Sequence, residues 1–312
     1  MSRKIAVIGM GHVGSTAAHY IVANGFADEL VLIDKNEDKV KSDALDFEDA
    51  MANLPVHTDI KVNDYSELKD TDVIISALGN IKLQDNPDAD RFAELPFTRK
   101  AVSQVAKDIK NSGFHGLMVV ITNPVDVITS MYQQITGLPK NHVIGTGTLL
   151  DSARMKRAVA HQLHVDPRSV DGYNLGEHGN SQFTAWSTVR VLDTPITELA
   201  KTEGLDLDKL DEEARMGGWT VFKGKKYTSY GVATAAVHLT NTILSNALTE
   251  MPVSNYRKEY GIYLSYPAIV GRDGIVKQAQ LKLTDDELKK LQRSADFIQE
   301  KYKESMEAIN NN

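Results

Sequence analysis

Five short, unbroken apolar runs punctuate the first half of the chain, at residues 4–8, 29–33, 73–77, 117–122 and 142–145. Val, Ile and Leu follow one another in them without polar alternation, the pattern of strands covered on both faces of a parallel sheet. Longer stretches with helical spacing lie between several of the runs, at 13–24, 35–51 and 98–111. This strand–helix alternation predicts an α/β fold with a doubly wound parallel sheet over residues 1–146. The second half reads differently. A helix is predicted at 149–163, with Leu149, Leu150, Ala153, Val159 and Leu163 on its apolar face. Strands are expected at 183–191 and 263–270, and further helices at 232–250 and 285–308. Residues 147–312 are therefore expected to form a C-terminal α+β domain. No Pro-, Gly- or Ser-rich linker divides the halves, so the junction near residue 146 should be packed.

Composition narrows the function classes. The 312 residues carry a net charge of −7 without a long basic run, so no electrostatic footprint for nucleic acid or an anionic membrane is present. An anion site must then be built locally, from a few placed arginines or a helix N-terminus. Cysteine is absent, which excludes disulfides, thiolate catalysis and cysteine-ligated zinc. The N-terminal apolar run is too short for a signal peptide, and no segment approaches the ~20 apolar residues that span a bilayer. A soluble, cytoplasmic protein is expected.

Gly9-Met10-Gly11-His12-Val13-Gly14 fits the pattern G-x-G-x-x-G. Glycines recur by chance, but this set follows the first strand-like run and opens a helical one. In that context Gly9 serves a tight turn, Gly11 lets a pyrophosphate approach the backbone, and Gly14 lets helix and strand pack closely. The helix start at His12 and Val13 offers free N–H groups to phosphate. Asp34 ends the second run, twenty residues after Gly14. Its carboxylate can accept both ribose hydroxyls and would repel a 2′-phosphate, which favours NAD over NADP in a Rossmann-type domain. FAD is the competing dinucleotide. A glycine turn beside a surface aspartate is the reading without function.

Three later segments hold candidate chemistry: Asn123-Pro124-Val125-Asp126, Asp151-Ser152-Ala153-Arg154, and Gly176-Glu177-His178-Gly179-Asn180. Asp151 and Arg154 share a helix face, which by spacing alone describes a surface ion pair. His178 is one of nine histidines, distinguished by flanking glycines that would admit a ligand. An imidazole near neutral pKa can give and take a proton, and a carboxylate on its other nitrogen would fix its tautomer.

With these segments in hand, the chain resembles the L-lactate/malate dehydrogenase family over essentially its whole length. The resemblance is carried by Gly79-Asn80-Ile81-Lys82-Leu83-Gln84, Gly145-Thr146-Gly147-Thr148-Leu149-Leu150-Asp151, Tyr173-Asn174-Leu175-Gly176-Glu177-His178-Gly179-Asn180-Ser181 and Tyr227-Thr228-Ser229-Tyr230-Gly231. Within the family the likeness is to the branch of L-2-hydroxyisocaproate dehydrogenases of lactic acid bacteria. It implies an NAD-dependent dehydrogenase of L-2-hydroxy acids. His178 would be the acid/base, Asp151 its partner, and Arg154 the fork for the substrate carboxylate. Arg91, on a closing loop, would polarise the carbonyl. Asn123 would bond near the reacting oxygen, Thr228 would line the substrate pocket, and Gly79 and Asn80 would join the cofactor site. The resemblance also implies a homo-oligomer, tetramer or dimer.

Particular residues bear on the substrate, a small 2-oxo or 2-hydroxy acid. Malate enzymes place an arginine in the loop 78–91 for a second carboxylate; here the only one is Arg91. Ile81 and Leu83 could give an apolar wall, or could pack the loop on the body; Lys82 keeps malate in play. Gly218 stands where lactate dehydrogenases often have Ala, so a branched or aromatic side chain such as that of 4-methyl-2-oxopentanoate is the first expectation. At about 0.8 kcal/mol per buried CH₂, three carbons would give a preference of roughly fifty-fold over pyruvate. Asp171 and Lys156 replace the histidine and arginine of enzymes activated by fructose 1,6-bisphosphate, so no such activation is expected. His161 and His164 have metal-like spacing, but no carboxylate-rich motif joins them and no metal is expected. The rivals are lactate or malate dehydrogenase proper, an NAD- and metal-dependent glycosidase (which would need a cysteine), and a non-catalytic NAD-binding sensor.

Overall fold

A computed structural model describes residues 2–84 and 92–311. In chain order the first half contains β1 (Lys4–Ile8), α1 (His12–Ala23), β2 (Glu29–Ile33), α2 (Glu37–Met51), β3 (Asp59–Val62), β4 (Val73–Ser76), α3 (Leu95–Asn111), β5 (Leu117–Val120), α4 (Val125–Thr136) and β6 (Val143–Gly145). The second half contains α5 (Leu149–Leu163), five two-residue strands β7 (Val170–Asp171), β8 (Asn174–Leu175), β9 (Phe183–Thr184), β10 (Arg190–Val191) and β11 (Thr194–Pro195), then α6 (Ile196–Thr202), α7 (Leu207–Lys225), α8 (Tyr230–Leu244), β12 (Thr249–Arg257), β13 (Ile262–Gly271), β14 (Gly274–Gln278) and α9 (Asp285–Asn310).

Among the described residues the main sheet has nine strands in the order β14-β13-β12-β6-β5-β4-β1-β2-β3. From β3 to β6 all pairings are parallel, giving the strand order of a doubly wound dinucleotide-binding sheet, whose ligands lie at the carboxyl ends of the strands. The last three strands extend this sheet antiparallel, with Ser254 of β12 opposite Gly145 of β6. The two halves thus share one sheet, and the junction is packed as expected. Alternate residues of β1 enter different cores: Ala6 and Ile8 on one face, Ile5 and Val7 on the other. A third core, around Met155, Val159, Val170 and Val189, lies outside the main sheet in the second half.

Among the described residues, α2, α7 and α9 begin with a side-chain cap. Asn36 caps α2 through Lys39 N–H, and Thr284 and Glu287 form a capping box on α9. By contrast, α1 begins at Gly11 without a side-chain cap and without an acidic residue in its first turn. Its first N–H groups and the positive end of its dipole are therefore open to an anion.

Two sequence expectations need correction, and two elements were not anticipated. The expected strand 183–191 is two short strands, β9 and β10, separated by a 3-10 turn at Trp186–Thr188. The expected helix 232–250 runs over Tyr230–Leu244, because Asn246 and Leu248 take positive φ before β12 begins. β3 escaped notice because it is an exposed edge strand, half polar. α7 escaped because Gly217, Gly218 and Gly224 interrupt it, and each glycine costs a helix about 1 kcal/mol relative to Ala.

Candidate active site

The glycine loop sits where β1 meets β4. Gly9 has φ +97°, and a Cβ there would lie 2.7 Å from the carbonyl oxygen of Ala77. A Cβ on Gly14 would fall 1.9 Å from the Gly9 carbonyl oxygen, so only glycine lets α1 pack this closely. Over Gly11, in contrast, nothing lies within 4 Å. The cleft it borders, about 300 Å³, is also lined by His12, Ser15, Lys39, Tyr227 and Tyr230. At the end of β2, Asp34 accepts from Met10 N–H at 2.6 Å and Asn36 N–H at 2.8 Å. Each oxygen keeps lone-pair capacity for a ribose hydroxyl. An open glycine face, an uncapped helix start with Val13 in its first turn and a carboxylate beside the loop fit a dinucleotide without a 2′-phosphate. NAD is the cofactor these residues suit.

Gly79 and Asn80 follow β4, and Asn80 N–H donates to the buried Glu94. Glu94 thereby pins this loop, a role no sequence motif signalled. Leu83 lies on the following 3-10 turn, Ile81–Gln84, and is 37% exposed. Arg91 lies outside the described residues.

The second cluster is built around Asp151, 4% exposed in the first turn of α5. Its Oδ2 meets His178 Nδ1 at 2.5 Å, and its Oδ1 accepts from Arg154 Nη1 at 3.1 Å. An ionised carboxylate can only accept, so Nδ1 carries the proton and Nε2 is left for a substrate. His178 and Arg154 side chains are each 16% exposed, enough to be reached without free solvation. What spacing alone described as a surface ion pair is thus a buried triangle of imidazole, carboxylate and guanidinium.

Two glycine readings change. The glycines flanking His178 make room for the protein's own side chains: a Cβ on Gly176 would lie 2.5 Å from Ser294 Oγ, and one on Gly179 would lie 1.7 Å from Glu177 Oε1. Gly218 does not face open space either. A Cβ there would fall 2.9 Å from Arg154 Nη2, 3.0 Å from Cζ and 3.1 Å from Nη1. The volume expected for a large substrate side chain is taken by the guanidinium.

The two clusters lie beyond the carboxyl ends of central strands of the sheet, the glycine loop after β1 and Asp126 after β5. Asn123 follows β5, its bond to Pro124 is cis, and α4 begins directly after it. In the first turn of α4, buried Asp126 accepts from His178 N–H at 2.8 Å, which fixes the histidine loop beyond the carboxyl end of β5. Thr228 occupies the turn between α7 and α8. Its neighbour Tyr227 stacks on His12, ring centroids 3.7 Å apart and planes within 5°, carrying this turn onto the start of α1. The role of Asp126 was not foreseen; its signal is an aspartate in an otherwise apolar helix start.

Family comparison agrees with this geometry. Residues 3–145 match the lactate/malate dehydrogenase NAD binding domain, and residues 148–309 match the lactate/malate dehydrogenase alpha/beta C-terminal domain. The chain is 37% identical over 308 residues to L-lactate dehydrogenase 3 of Bacillus thuringiensis subsp. konkukian, covering 96% of each. It is 35% identical over 306 residues to L-lactate dehydrogenase 1 of Bifidobacterium longum, covering 95% of this chain and 96% of that one. Among solved structures it resembles the minor L-lactate dehydrogenase of Enterococcus mundtii in its ligands-bound form, with TM-score 0.91, 34% identity and coverage of 97% and 98%. A lactate dehydrogenase from a Medee basin deep-sea metagenome library gives TM-score 0.90, 31% identity and coverage of 98% and 100%.

Proposed function

Since the chain belongs to the lactate/malate dehydrogenase family, we propose that this NAD-dependent oxidoreductase interconverts pyruvate and L-lactate. The observation that carries the reading is the His178–Asp151–Arg154 triangle at the strand ends beside the glycine loop. A small substrate is supported by Gly218, which seats the guanidinium, and by the lactate dehydrogenase names of the relatives.

When bound, the nicotinamide supplies a hydride to C2 of the 2-oxo acid. Gly9, Gly11, His12, Val13, Gly14 and Asp34 would hold the cofactor, with Gly79, Asn80 and Asn123 on its nicotinamide side. Arg154 binds the substrate carboxylate as a planar fork. His178 Nε2–H donates its proton to the carbonyl oxygen, so that hydride and proton together saturate the C=O bond. Asp151 holds the imidazolium in the orientation and tautomer this requires. In the oxidative direction neutral Nε2 takes the hydroxyl proton back. Arg91 and Thr228 keep the roles the resemblance implies, carbonyl polarisation and pocket lining.

A second reading, preference for a branched or aromatic 2-oxo acid such as 4-methyl-2-oxopentanoate, is favoured by Leu83, apolar and 37% exposed on the loop ahead of Arg91. NADH oxidation measured with pyruvate, oxaloacetate, 4-methyl-2-oxopentanoate and phenylpyruvate separates the two. Highest kcat/KM on pyruvate is the expected result. Highest kcat/KM on the branched or aromatic acids replaces the first reading with the second. NADH binding without turnover on any acid overturns both in favour of a sensor. A homo-oligomer is part of the proposal; light scattering on the 34.4 kDa chain tests it, and a monomer would contradict it.

A further inference from the structure

We propose that Lys35 is a specificity-determining residue for the cofactor: its ammonium serves as counter-charge to a 2′-phosphate, so that the protein takes NADPH as a weaker second cofactor beside NADH. The inference rests on the dinucleotide reading of the glycine loop and Asp34, and deepens it at the adenosine end of that site.

Lys35 directly follows the carboxylate that would hold the adenosine ribose. The two side chains leave the end of β2 toward different walls. Asp34 turns to the glycine loop, where it accepts from Met10 N–H at 2.6 Å. Lys35 continues the side of Ile33, which shares a core with Leu95 and Val102 of α3. Its Nζ accordingly stands 5.3 Å from the ring centroid of Phe97, in the first turn of α3. Phe97 is half-buried and Lys35 is exposed. The lysine thus reaches from the carboxyl end of β2 to the start of α3, where Glu94 also pins the loop of Gly79 and Asn80. A carboxylate and an ammonium therefore flank the same strand end.

This ammonium is free to serve a ligand. Among the described residues it makes no ion pair, whereas Lys39 and Lys41 of α2 are held by Asp43 and Glu37. Its contact with an exposed ring edge of the crevice is worth only a factor of a few, so the side chain leaves it readily. Consecutive Cα atoms lie about 3.8 Å apart, and the flexible four-carbon stem lets the ammonium swing to the ribose edge that Asp34 would hold. Lysine meets phosphate as a point charge and needs no fixed fork, which suits a group that arrives by swinging. A 2′-phosphate would then feel repulsion from Asp34 and attraction from Lys35 together. Asp34 sets the preference for NADH, and Lys35 keeps NADPH from being rejected outright.

Adenosine 2′,5′-bisphosphate and adenosine 5′-monophosphate differ only in the 2′-phosphate, and their displacement of NADH from the full-length protein, read by fluorescence, needs no turnover. The ratio of their affinities should fall about tenfold in Lys35→Ala relative to wild type, while Lys35→Arg, which keeps the charge, should hold it within about threefold. The ratio of kcat/KM for NADPH over NADH should move in the same way. Asp34→Ser removes the repulsion and should raise both ratios. In that background Lys35→Ala should again lower them about tenfold, which gives a reading even where wild type is slow with NADPH. Equal ratios in Lys35→Ala and its parent, in both backgrounds, would overturn the proposal. So would a fall in Lys35→Arg as large as that in Lys35→Ala, since the charge would then not be the cause. A Lys35-dependent affinity ratio in a protein inactive on every 2-oxo acid would support the proposal and defeat the dehydrogenase reading alone. NADH that fails to bind would defeat both.

Discussion

Replacing Gly218 by Ala tests whether the site is organised around its arginine or around an enlarged side-chain pocket. The new methyl would meet three atoms of the Arg154 guanidinium at 2.9–3.1 Å, where ordinary contact begins near 3.4 Å. Because these atoms form one plane, the guanidinium must move as a unit, by about half an ångström. A forced rotamer shift of this size costs of order 0.5–1.5 kcal/mol, and the displaced fork then meets the substrate carboxylate off its best line. Together these give about 1.4 kcal/mol, which is tenfold in an equilibrium constant. The carboxylate is bound alike in ground and transition states, so the loss should fall on KM, with kcat within twofold of wild type. Fold loss is not a competing explanation, because Ala in mid-α7 gains up to about 1 kcal/mol of helix propensity over Gly. Tm should hold or rise.

The assay is steady-state NADH oxidation at saturating NADH with pyruvate and, in parallel, 4-methyl-2-oxopentanoate. Both acids carry the same carboxylate, so both should lose roughly tenfold in kcat/KM. An unchanged KM for pyruvate would refute the contact argument. A loss confined to the branched acid would also refute it, and would return Gly218 to the role of making room for a substrate side chain.

Other perturbations follow from the same geometry. His178→Asn removes the proposed acid/base but keeps the loop backbone; turnover should fall by about three orders of magnitude or more while NADH fluorescence titration is unchanged, and near-normal turnover would unseat the assignment. Asp34→Ser removes the charged acceptor for ribose hydroxyls and the repulsion of a 2′-phosphate. KM for NADH should rise about tenfold and the NADH/NADPH preference should narrow, whereas an unaltered preference would place cofactor discrimination elsewhere. The stability of wild type relative to Asp126→Asn should fall as pH rises from 4.5 to 8. The folded carboxyl titrates near 6 against an unfolded value near 4, so the ionised form costs stability in full above pH 6, and the cost fades as pH falls toward 4. In urea unfolding the difference should move against wild type by up to about 3 kcal/mol between pH 4.5 and pH 8; a pH-independent difference would contradict this. Fructose 1,6-bisphosphate should leave the rate unchanged, because Asp171 presents a negative charge beside half-buried Lys156; clear activation would show that an anion site forms there.

What the sequence conveyed depended on whether local pattern and tertiary role agreed. β1, β2, β5 and β6 are buried on both faces and announce themselves as apolar runs, whereas edge strand β3 alternates with solvent and has no such run. The glycine loop was legible because its backbone demands glycine twice within six residues: Gly9 has a positive φ and lies against the Ala77 carbonyl, and Gly14 lets α1 pack against the Gly9 carbonyl. Gly176, Gly179 and Gly218 also stand out in the sequence, but they accommodate Ser294, Glu177 and Arg154. Ser294 and Arg154 are remote in the chain, so the residue type was readable and its reason was not.

The candidate site shows the same division. Asp151 and Arg154 are three residues apart, yet spacing alone made them a surface pair; the fold buries their carboxylate by bringing in a histidine 27 residues away. Asp126 is further removed from local inference, since its three donors lie 52, 128 and 139 residues along the chain. A charged residue in the apolar run of α4 is locally inconsistent with burial, and consistency across levels is what sequences otherwise maintain. That inconsistency is itself the signal: a carboxyl that burial favours in its neutral form accepts the backbone N–H of the histidine proposed as acid/base. Asp126, hard to justify by local pattern and burial, thus stands beside the proposed acid/base, and the cost of its burial is measurable through the pH dependence it creates.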